Sequence, residues 1–508
     1  MRRNYSGAWI LLSTILGSSM AFIDVTAVNV SLPVIQEDLG ASITQLQWVI
    51  EAYALFLAAL LLVGGTLGDR FGRRRTFIWG IGLFMASSIW AGLAPDLTQV
   101  IIARALQGVG AALFVPGSLA LIGACFTDDE RGRAIGTWSA ASALTTVIGP
   151  LLGGFLATNF SWRWVFFINV PIAVIVIVIA ITRVPESRDD ESGSRLDWAG
   201  AVLATVGLGA LIYGLIEAAN LGFGHVGVVV SLAAGVLGLA AFVMRELRTE
   251  HPMMPLGVFR SRNFSGANVL TFLLYGALGG SMFFFPMVLV QVRGYSPVEA
   301  GAAFLPFVFL IATISRWAGG LVVKVGAKLP LVAGPTIVGV GFLLYARPGL
   351  EGSYWTTYFP AVVAVGFGMA ITISPLVTTV MSSVDRRQSG LASGVNNAVT
   401  RLASLVSIAL FGLMALALFN AGFDDRLVDI GASPEIVQQL ESQRVNLAGA
   451  RIPDGLPADK HAAVQRAIHE SFVDAFRGVS LVSAALAFAS ALVALAVVGR
   501  LPRPEGAP

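Results

Sequence analysis

The stretch Gly64-Gly65-Thr66-Leu67-Gly68-Asp69-Arg70-Phe71-Gly72-Arg73-Arg74-Arg75 decides the fold. It is a glycine-rich turn carrying arginines and one aspartate, set between apolar runs at 46–68 and 76–93. At 1.5 Å per residue each run is long enough to cross about 30 Å of hydrocarbon, so the turn is where the chain leaves a membrane and re-enters it. In the second half of the chain Gly319-Gly320-Leu321-Val322-Val323-Lys324-Val325-Gly326-Ala327-Lys328 occupies the matching place between runs at 298–323 and 329–346. It reads as a worn copy that has lost the aspartate. Pro116 and Pro375, and the basic connectors at Arg131 and Arg386, recur at a similar interval. Two six-helix halves follow, and duplicated halves around a midplane site are how many secondary carriers work.

Working outward, the remaining runs lie at 8–32, 98–125, 133–158, 163–184, 197–217, 225–245, 264–291, 355–382, 390–419 and 477–499, fourteen spans in all. Of 508 residues, 56% are hydrophobic and 12% charged. That is about half the charge of a soluble protein, which excludes a water-soluble enzyme. The net charge of +3 does not imply nucleic acid, because the basic residues are scattered between apolar runs. They cluster instead in alternate connectors: Arg70 to Arg75, Arg131, Arg133, Arg183, Arg188, Arg195, Arg245, Arg248, Arg260, Arg262, Lys324, Lys328, Arg386 and Arg387 share one side, against Arg163, Arg293 and Arg347 on the other. The positive-inside rule makes the richer side cytoplasmic and puts both termini there. Trp48, Trp162, Trp164, Tyr354 and Trp355 fall at outer ends, where amphipathic rings favour the headgroup layer. Residues 1–190 form the first half, 191–262 two inserted spans with linkers, and 263–508 the second half with an outer connector at 420–476, in which 435–446 is expected to be an amphipathic helix. The single cysteine, Cys125, excludes an intrachain disulfide, and no Cys/His group has metal-ligand spacing. Arg2 and Arg3 precede an apolar run without a small-residue cleavage site, so no signal peptide is expected.

Residues 65–75 resemble motif A of the major facilitator superfamily. Ile23-Asp24-Val25-Thr26-Ala27-Val28-Asn29-Val30-Ser31-Leu32-Pro33 resembles the first-span signature of its fourteen-span drug:proton antiporter family. Arg104-Ala105-Leu106-Gln107-Gly108-Val109-Gly110 matches motif B, and Gly149-Pro150-Leu151-Leu152-Gly153-Gly154 matches the antiporter motif C. Similar too are 161–171 in span 6 and 390–397 in span 13. The resemblance implies an all-α membrane protein with the major facilitator fold: two six-helix halves plus two extra central helices. It departs from the pattern at the second motif A copy and at Glu51, where a hydroxyl residue is expected.

Charged side chains inside a span are costly and each is a functional hypothesis. Counting inward from span ends places Asp24, Arg104 and Glu51 at roughly 8 to 12 Å from the outer surface, so the three are expected to share a site. Arg104 favours an ionised acid and desolvation a neutral one, the balance that proton exchange needs. The family pairs its motif B arginine with the acid of span 1, which the resemblance carries onto Arg104 and Asp24. The competing readings are a permanent structural ion pair for Asp24 and Arg104, and for Glu51 a wet outer vestibule. Gly65, Gly68, Asp69, Arg70, Gly72 and Arg73 are expected to control the state equilibrium, with Asp69 on the free amides near Gly390 and Arg70 and Arg73 on Asp128, Asp129 or Glu130; a topology anchor is the rival. Gly149, Pro150, Gly153 and Gly154 would hinge or seal the cavity, or merely pack. By resemblance spans 1, 4, 9 and 12 line the cavity, offering Phe22, Phe114, Asn268, Thr271, Tyr275, Phe283 and Thr372, with Asn396, Asn397 and Arg401 from span 13. Arg316 is expected to snorkel.

No phosphate-binding Gly-x-x-x-x-Gly-Lys-Ser/Thr loop occurs, so the expected energy source is a proton gradient, without cofactor or metal. The partners expected are small amphiphilic molecules, protons and membrane lipids, in a monomer in the cell membrane. The expected activity is proton-coupled export of drugs and toxic compounds; export of a lipid or endogenous metabolite by the same fold is the alternative. A membrane sensor or enzyme lacks a visible nucleophile, metal site or output domain.

Overall fold

A computed structural model describes residues 7–126, 128–188, 197–249, 252, 256–384, 389–441, 443–453 and 456–499. Arg2, Arg3, Arg195, Arg386 and Arg387 lie outside the described residues, as do the side chains of Asp128, Asp129, Arg131, Arg133, Arg316 and residues 319–325. All regular elements among the described residues are helices.

The first five helices are α1 Gly7–Leu39, α2 Ile43–Phe71, α3 Arg73–Leu93, α4 Leu97–Cys125 and α5 Asp128–Asn159. A short α6, Trp164–Phe167, leads into α7, Asn169–Arg183. The inserted pair is α8 Trp198–Leu221 and α9 Val226–Arg248. Then come α10 Arg262–Met287, running on as a π turn at Val288–Val292, α11 Pro297–Ala302, α12 Leu305–Val325 and α13 Lys328–Tyr345. After these follow α14 Tyr354–Thr357, α15 Phe359–Ser382, α16 Ser389–Asp429, α17 Pro434–Glu441 and α18 Ala458–Val497. Thirteen membrane-length apolar spans occur among the described residues, and α5, with 32 residues, is long enough to be the fourteenth.

The caps follow from sequence. Ser42 opens α2 with a capping box on Gln45, and Asp96 opens α4 by accepting from the amide of Gln99. Between α2 and α3 the turn is a single residue, Gly72, at φ +107°, a conformation that only glycine adopts without strain.

Helices gather into two units: Met1–Gly214 with Phe223–Met253 and Ser296–Ala302, and Leu215–Gly222 with Met254–Tyr295 and Ala303–Pro508. In the first unit α2 and α4 touch through small residues, a Cβ on Gly64 falling 1.8 Å from the Ala112 carbonyl oxygen. Phe77, Phe84 and Phe114 fill the space between α3 and α4 with edge-on contacts.

Two expectations need correction. The connector 420–476 is mostly helix: α16 runs on to Asp429 and α18 begins at Ala458. Charged residues hide these extensions from a hydropathy reading, yet they pair with one another. Arg426 meets Glu470 at 3.2 Å and Asp474 at 2.6 Å, and Arg444 meets Asp424 at 2.6 Å. The expected helix at 435–446 is divided into α17 and a 3-10 turn, Arg444–Gly449. Trp162, expected in the headgroup layer, is buried, with its Nε1 donating to Asp38 Oδ2 at 2.8 Å and the Arg163 guanidinium 4.3 Å from its ring. Trp164 and Trp355 do stand exposed.

Candidate functional site

Inside the first unit Asp24 of α1 and Arg104 of α4 form an ion pair, Arg104 Nη1 donating to Asp24 Oδ2, and neither side chain is exposed at all. Asp24 Oδ1 accepts from Asn169 Nδ2 of α7 at 3.0 Å and from Gln107 Nε2 at 3.3 Å. Gln107 Nε2 also donates to Ser88 Oγ of α3 at 2.7 Å, and Asn169 Nδ2 lies 3.3 Å from the same oxygen. Arg104 has other partners: the Val49 carbonyl at 3.0 Å, Gln107 Oε1 at 3.0 Å, and the Tyr53 ring at 4.4 Å. Five helices therefore converge on one carboxylate and one guanidinium. A buried ion pair leans on further hydrogen bonds: Gln107 and Asn169 hold Asp24 Oδ1 and are themselves anchored on Ser88, while Arg104 Nη2 and Asn169 Oδ1 have no hydrogen-bond partner among the described residues.

The partners of Arg104 have a chemical consequence. If Asp24 takes up a proton, Arg104 keeps the Val49 carbonyl, the Gln107 amide oxygen and the Tyr53 π face, so the guanidinium is not stranded.

Glu51 does not join this cluster. Val49 and Tyr53 sit one turn apart on the α2 face turned to Arg104, and Glu51, two residues from each, is rotated about 200° away. Its own face carries Trp48, whose ring lies 6.2 Å from that of Tyr213, and Leu55, which touches Gly209, so Glu51 faces α8. It is fully buried, and neither carboxylate oxygen has a hydrogen-bond partner among the described residues. Depth along the span was counted without helix phase, and phase separates the two acids.

The glycines of 149–154 clasp two neighbours. A Cβ on Gly149 would sit 1.8 Å from Thr26 Oγ1, and one on Gly153 2.5 Å from the Ala27 Cα, both on α1 just past Asp24. On the other side a Cβ on Gly154 would lie 2.4 Å from the Pro297 carbonyl oxygen, and the Pro150 carbonyl oxygen closes on Gly301 of α11. So α5 grips the α1 segment that carries the acid.

At the α2–α3 turn, Asp69 accepts from Arg73 Nε at 2.8 Å, the side chains of Asp128 and Asp129 lying outside the described residues. Arg70 lies over the Phe71 ring at 5.5 Å. The backbone amide of Arg74 donates to Glu186 Oε1 at 3.0 Å and that of Arg73 to the Ser187 carbonyl at 2.9 Å. Arg74 and Arg75 each lie 3.7 Å from Glu186 Oε2. Glu186, absent from the sequence reading, thus caps α3 and ties the basic turn to the segment after α7. A Cβ on Gly72 would fall 2.6 Å from its carboxylate. Gly72→Ala is expected to cost about 1–3 kcal/mol from backbone conformation alone. Thermal unfolding in detergent should show a lowered midpoint, only partly restored by adding Glu186→Ala, which removes the clash but not the strain.

In the second unit Asn396 Nδ2 of α16 donates to Asn268 Oδ1 at 3.2 Å and Thr271 Oγ1 at 2.8 Å, both on α10. Thr372 packs its hydroxyl into α13 at Gly334, and Phe283 lies buried against Phe284. Phe114 is core, whereas Phe22, Tyr275 and Arg401 are half-buried and Asn397 is exposed. Ser88, Gln107, Asn169 and Tyr53 were not singled out from sequence. The first three are polar residues inside apolar runs, which is the signal that identifies them.

Two units of membrane-length helices, one of them built around a buried acid–guanidinium pair, make the class of protein a membrane carrier. The chain belongs to the Major Facilitator Superfamily, whose model matches residues 14–408. It is 35% identical over 435 residues to Multidrug resistance protein Stp of Mycobacterium tuberculosis, covering 84% of this chain and 79% of that one. The Tetracenomycin C resistance and export protein of Streptomyces glaucescens is 31% identical over 496 residues, covering 96% and 90%. Among solved structures, a bacterial homolog of the human lysosomal transporter Spinster in an inward-facing conformation aligns with TM-score 0.64 at 18% identity, covering 98% of this chain and 99% of that one. The xylose transporter XylE from E. coli aligns with TM-score 0.60 at 14% identity, covering 98% and 97%. The chain is therefore an all-α transporter of the major facilitator fold, not an enzyme.

Proposed function

We propose that this transporter exports amphiphilic or lipophilic small molecules, drugs and toxic compounds among them, in exchange for protons by alternating access. The observation that carries the reading is the Asp24 carboxylate, fully buried and ringed by Arg104, Gln107 and Asn169. Asp24 carries the proton, and Arg104, which keeps partners in both charge states, sets how tightly it is held. Ser88, Gln107 and Asn169 position the acid. Glu51, on the opposite face of α2, is left out of the exchange pair. A resistance and export protein and a multidrug resistance protein among the relatives support the direction and the substrate class.

Motif A with Gly72 and Glu186 governs the balance of states, and the glycines of α5 transmit movement to the α1 segment beside Asp24. Asn268, Thr271 and Asn396 supply polar contacts to substrate, with Tyr275 and Phe22 as apolar wall. The chain acts as a monomer in the cell membrane with both termini cytoplasmic, without cofactor, as two six-helix halves and an inserted pair. A growth-inhibition screen in an exporter-deficient host tests the substrate class. Expression of the chain should raise tolerance to several lipophilic compounds and not to small hydrophilic ones. Equal sensitivity with and without the chain across the screen contradicts export of toxic compounds.

A further inference from the structure

The inserted pair turns most of its surface outward: Val202, Val206, Val229, Val230, Val236, Leu237, Met244 and Leu247 are all more than half or about half exposed. Where the C-terminal end of α9 meets the N-terminal part of α8, that surface opens into a groove of about 400 Å³ lined by Leu203, Ala241, Met244, Arg245, Arg248 and Thr249. Its volume falls in the range of sites that take small organic ligands. Its chemistry is divided. Leu203, Ala241 and Met244 form an apolar wall continuous with the lipid-facing surface, and Arg245 and Arg248 stand at the end that the basic connectors mark as cytoplasmic.

Charge at the mouth decides the occupant. Arg245 gives Nε to Asp197 Oδ1 at 2.6 Å, and the same oxygen accepts from the Gly200 amide at 2.8 Å, while Asp197 Oδ2 is buried without a hydrogen-bond partner among the described residues. Both nearby carboxylates, Asp197 and Glu246, are buried, whereas the Arg245 side chain is 41% exposed and Arg248 is exposed. Arg248 has no ion-pair or hydrogen-bond partner among the described residues. A guanidinium held at the membrane surface above an apolar wall offers paired N–H donors that suit a phosphate diester.

We infer that this groove binds an anionic phospholipid of the cytoplasmic leaflet, its headgroup phosphate on Arg248 and the free edge of Arg245, and its acyl chain along Leu203, Ala241 and Met244. Basic pockets between helices on the cytoplasmic side are where such lipids are held. The inference does not depend on what the transporter exports.

Native mass spectrometry of the full-length protein in detergent tests it, with phosphatidylglycerol and phosphatidylcholine as probes. Phosphatidylglycerol should be retained preferentially, and Arg248→Gln should lower its occupancy about fivefold, the loss of one interfacial guanidinium. Arg248→Lys should keep most of it. Leu203→Trp, which fills the apolar wall without touching charge, should also displace the lipid, and Arg260→Gln, an exposed arginine elsewhere, should not. Unchanged unfolding midpoints separate loss of binding from loss of fold. The inference is overturned if Arg248→Gln and Leu203→Trp both retain phosphatidylglycerol as the unaltered protein does, or if both lipids bind alike. It is overturned as well if inorganic phosphate alone displaces the lipid, which would make the groove a site for the free anion.

Discussion

Asp24→Asn is expected to abolish export driven by a pH gradient in proteoliposomes, and to lower the unfolding midpoint as well. The two losses have different causes. Removing the acid's charge leaves Arg104 buried without its counterion, and breaking a buried pair from one side costs about 3–5 kcal/mol. The Val49 carbonyl, the Gln107 amide oxygen and the Tyr53 ring recover part of that cost. The double change Asp24→Asn with Arg104→Gln removes both charges and should restore most of the midpoint, because two neutral amides satisfy each other. Transport should stay absent in the double variant. A purely structural ion pair would behave otherwise: restoring the fold would restore the flux. The comparison therefore separates the packing role of the pair from its part in coupling, and the thermal midpoint and gradient-driven flux are read on the same preparation.

The second large effect is expected at Gly149 and Gly153. A methyl group on Gly149 meets a side-chain oxygen, Thr26 Oγ1, whereas one on Gly153 meets the backbone of Ala27. Overpacking of this kind costs about 1–3 kcal/mol. Here it also displaces the α1 segment two residues from Asp24, so transport should fall more steeply than stability. Thr26→Ala should rescue Gly149→Ala in part, since it removes the oxygen at 1.8 Å but leaves the residue 26 Cβ at 3.0 Å and the Ile23 carbonyl oxygen at 3.2 Å. Ala27→Gly should not rescue Gly153→Ala, because removing the Ala27 Cβ leaves its Cα at 2.5 Å and its carbonyl oxygen at 2.6 Å. Uptake assays on the four single and double variants, with their midpoints, decide it. Full activity in Gly153→Ala would show that α5 does not hold α1 as tightly as described.

What the sequence disclosed followed from cost. Asp24 and Arg104 were legible because each is a charge inside an apolar run, and hydrocarbon admits such a group only with a partner. The span boundaries were legible for the same reason, but the connector between 68 and 76 proved to be helix on both sides of a single turn residue, Gly72, because its charged residues continue α2 and begin α3. Glu51 was misplaced beside Arg104 because depth along a helix is a linear count, whereas facing is an angle. Only the contacts of Val49 and Tyr53 reveal that angle. Glu186 could not be read as a partner of the Gly72 turn, since its segment is joined to that turn by folding alone. Similarly, Arg426, Glu470 and Asp474 broke the apolar pattern of α16 and α18 when read singly and extend those helices when paired.

The central claim is that substrate and proton move in opposite directions through the Asp24–Arg104 pair. It is tested most directly by loading proteoliposomes with an exported compound found in the growth screen, diluting them with no pH difference across the membrane, and recording lumenal pH. The account predicts that outflow of the compound acidifies the lumen with the unaltered protein, and that the double variant Asp24→Asn with Arg104→Gln, though folded, gives no pH change. Outflow by the unaltered protein without acidification, or equal acidification by the double variant, would contradict it.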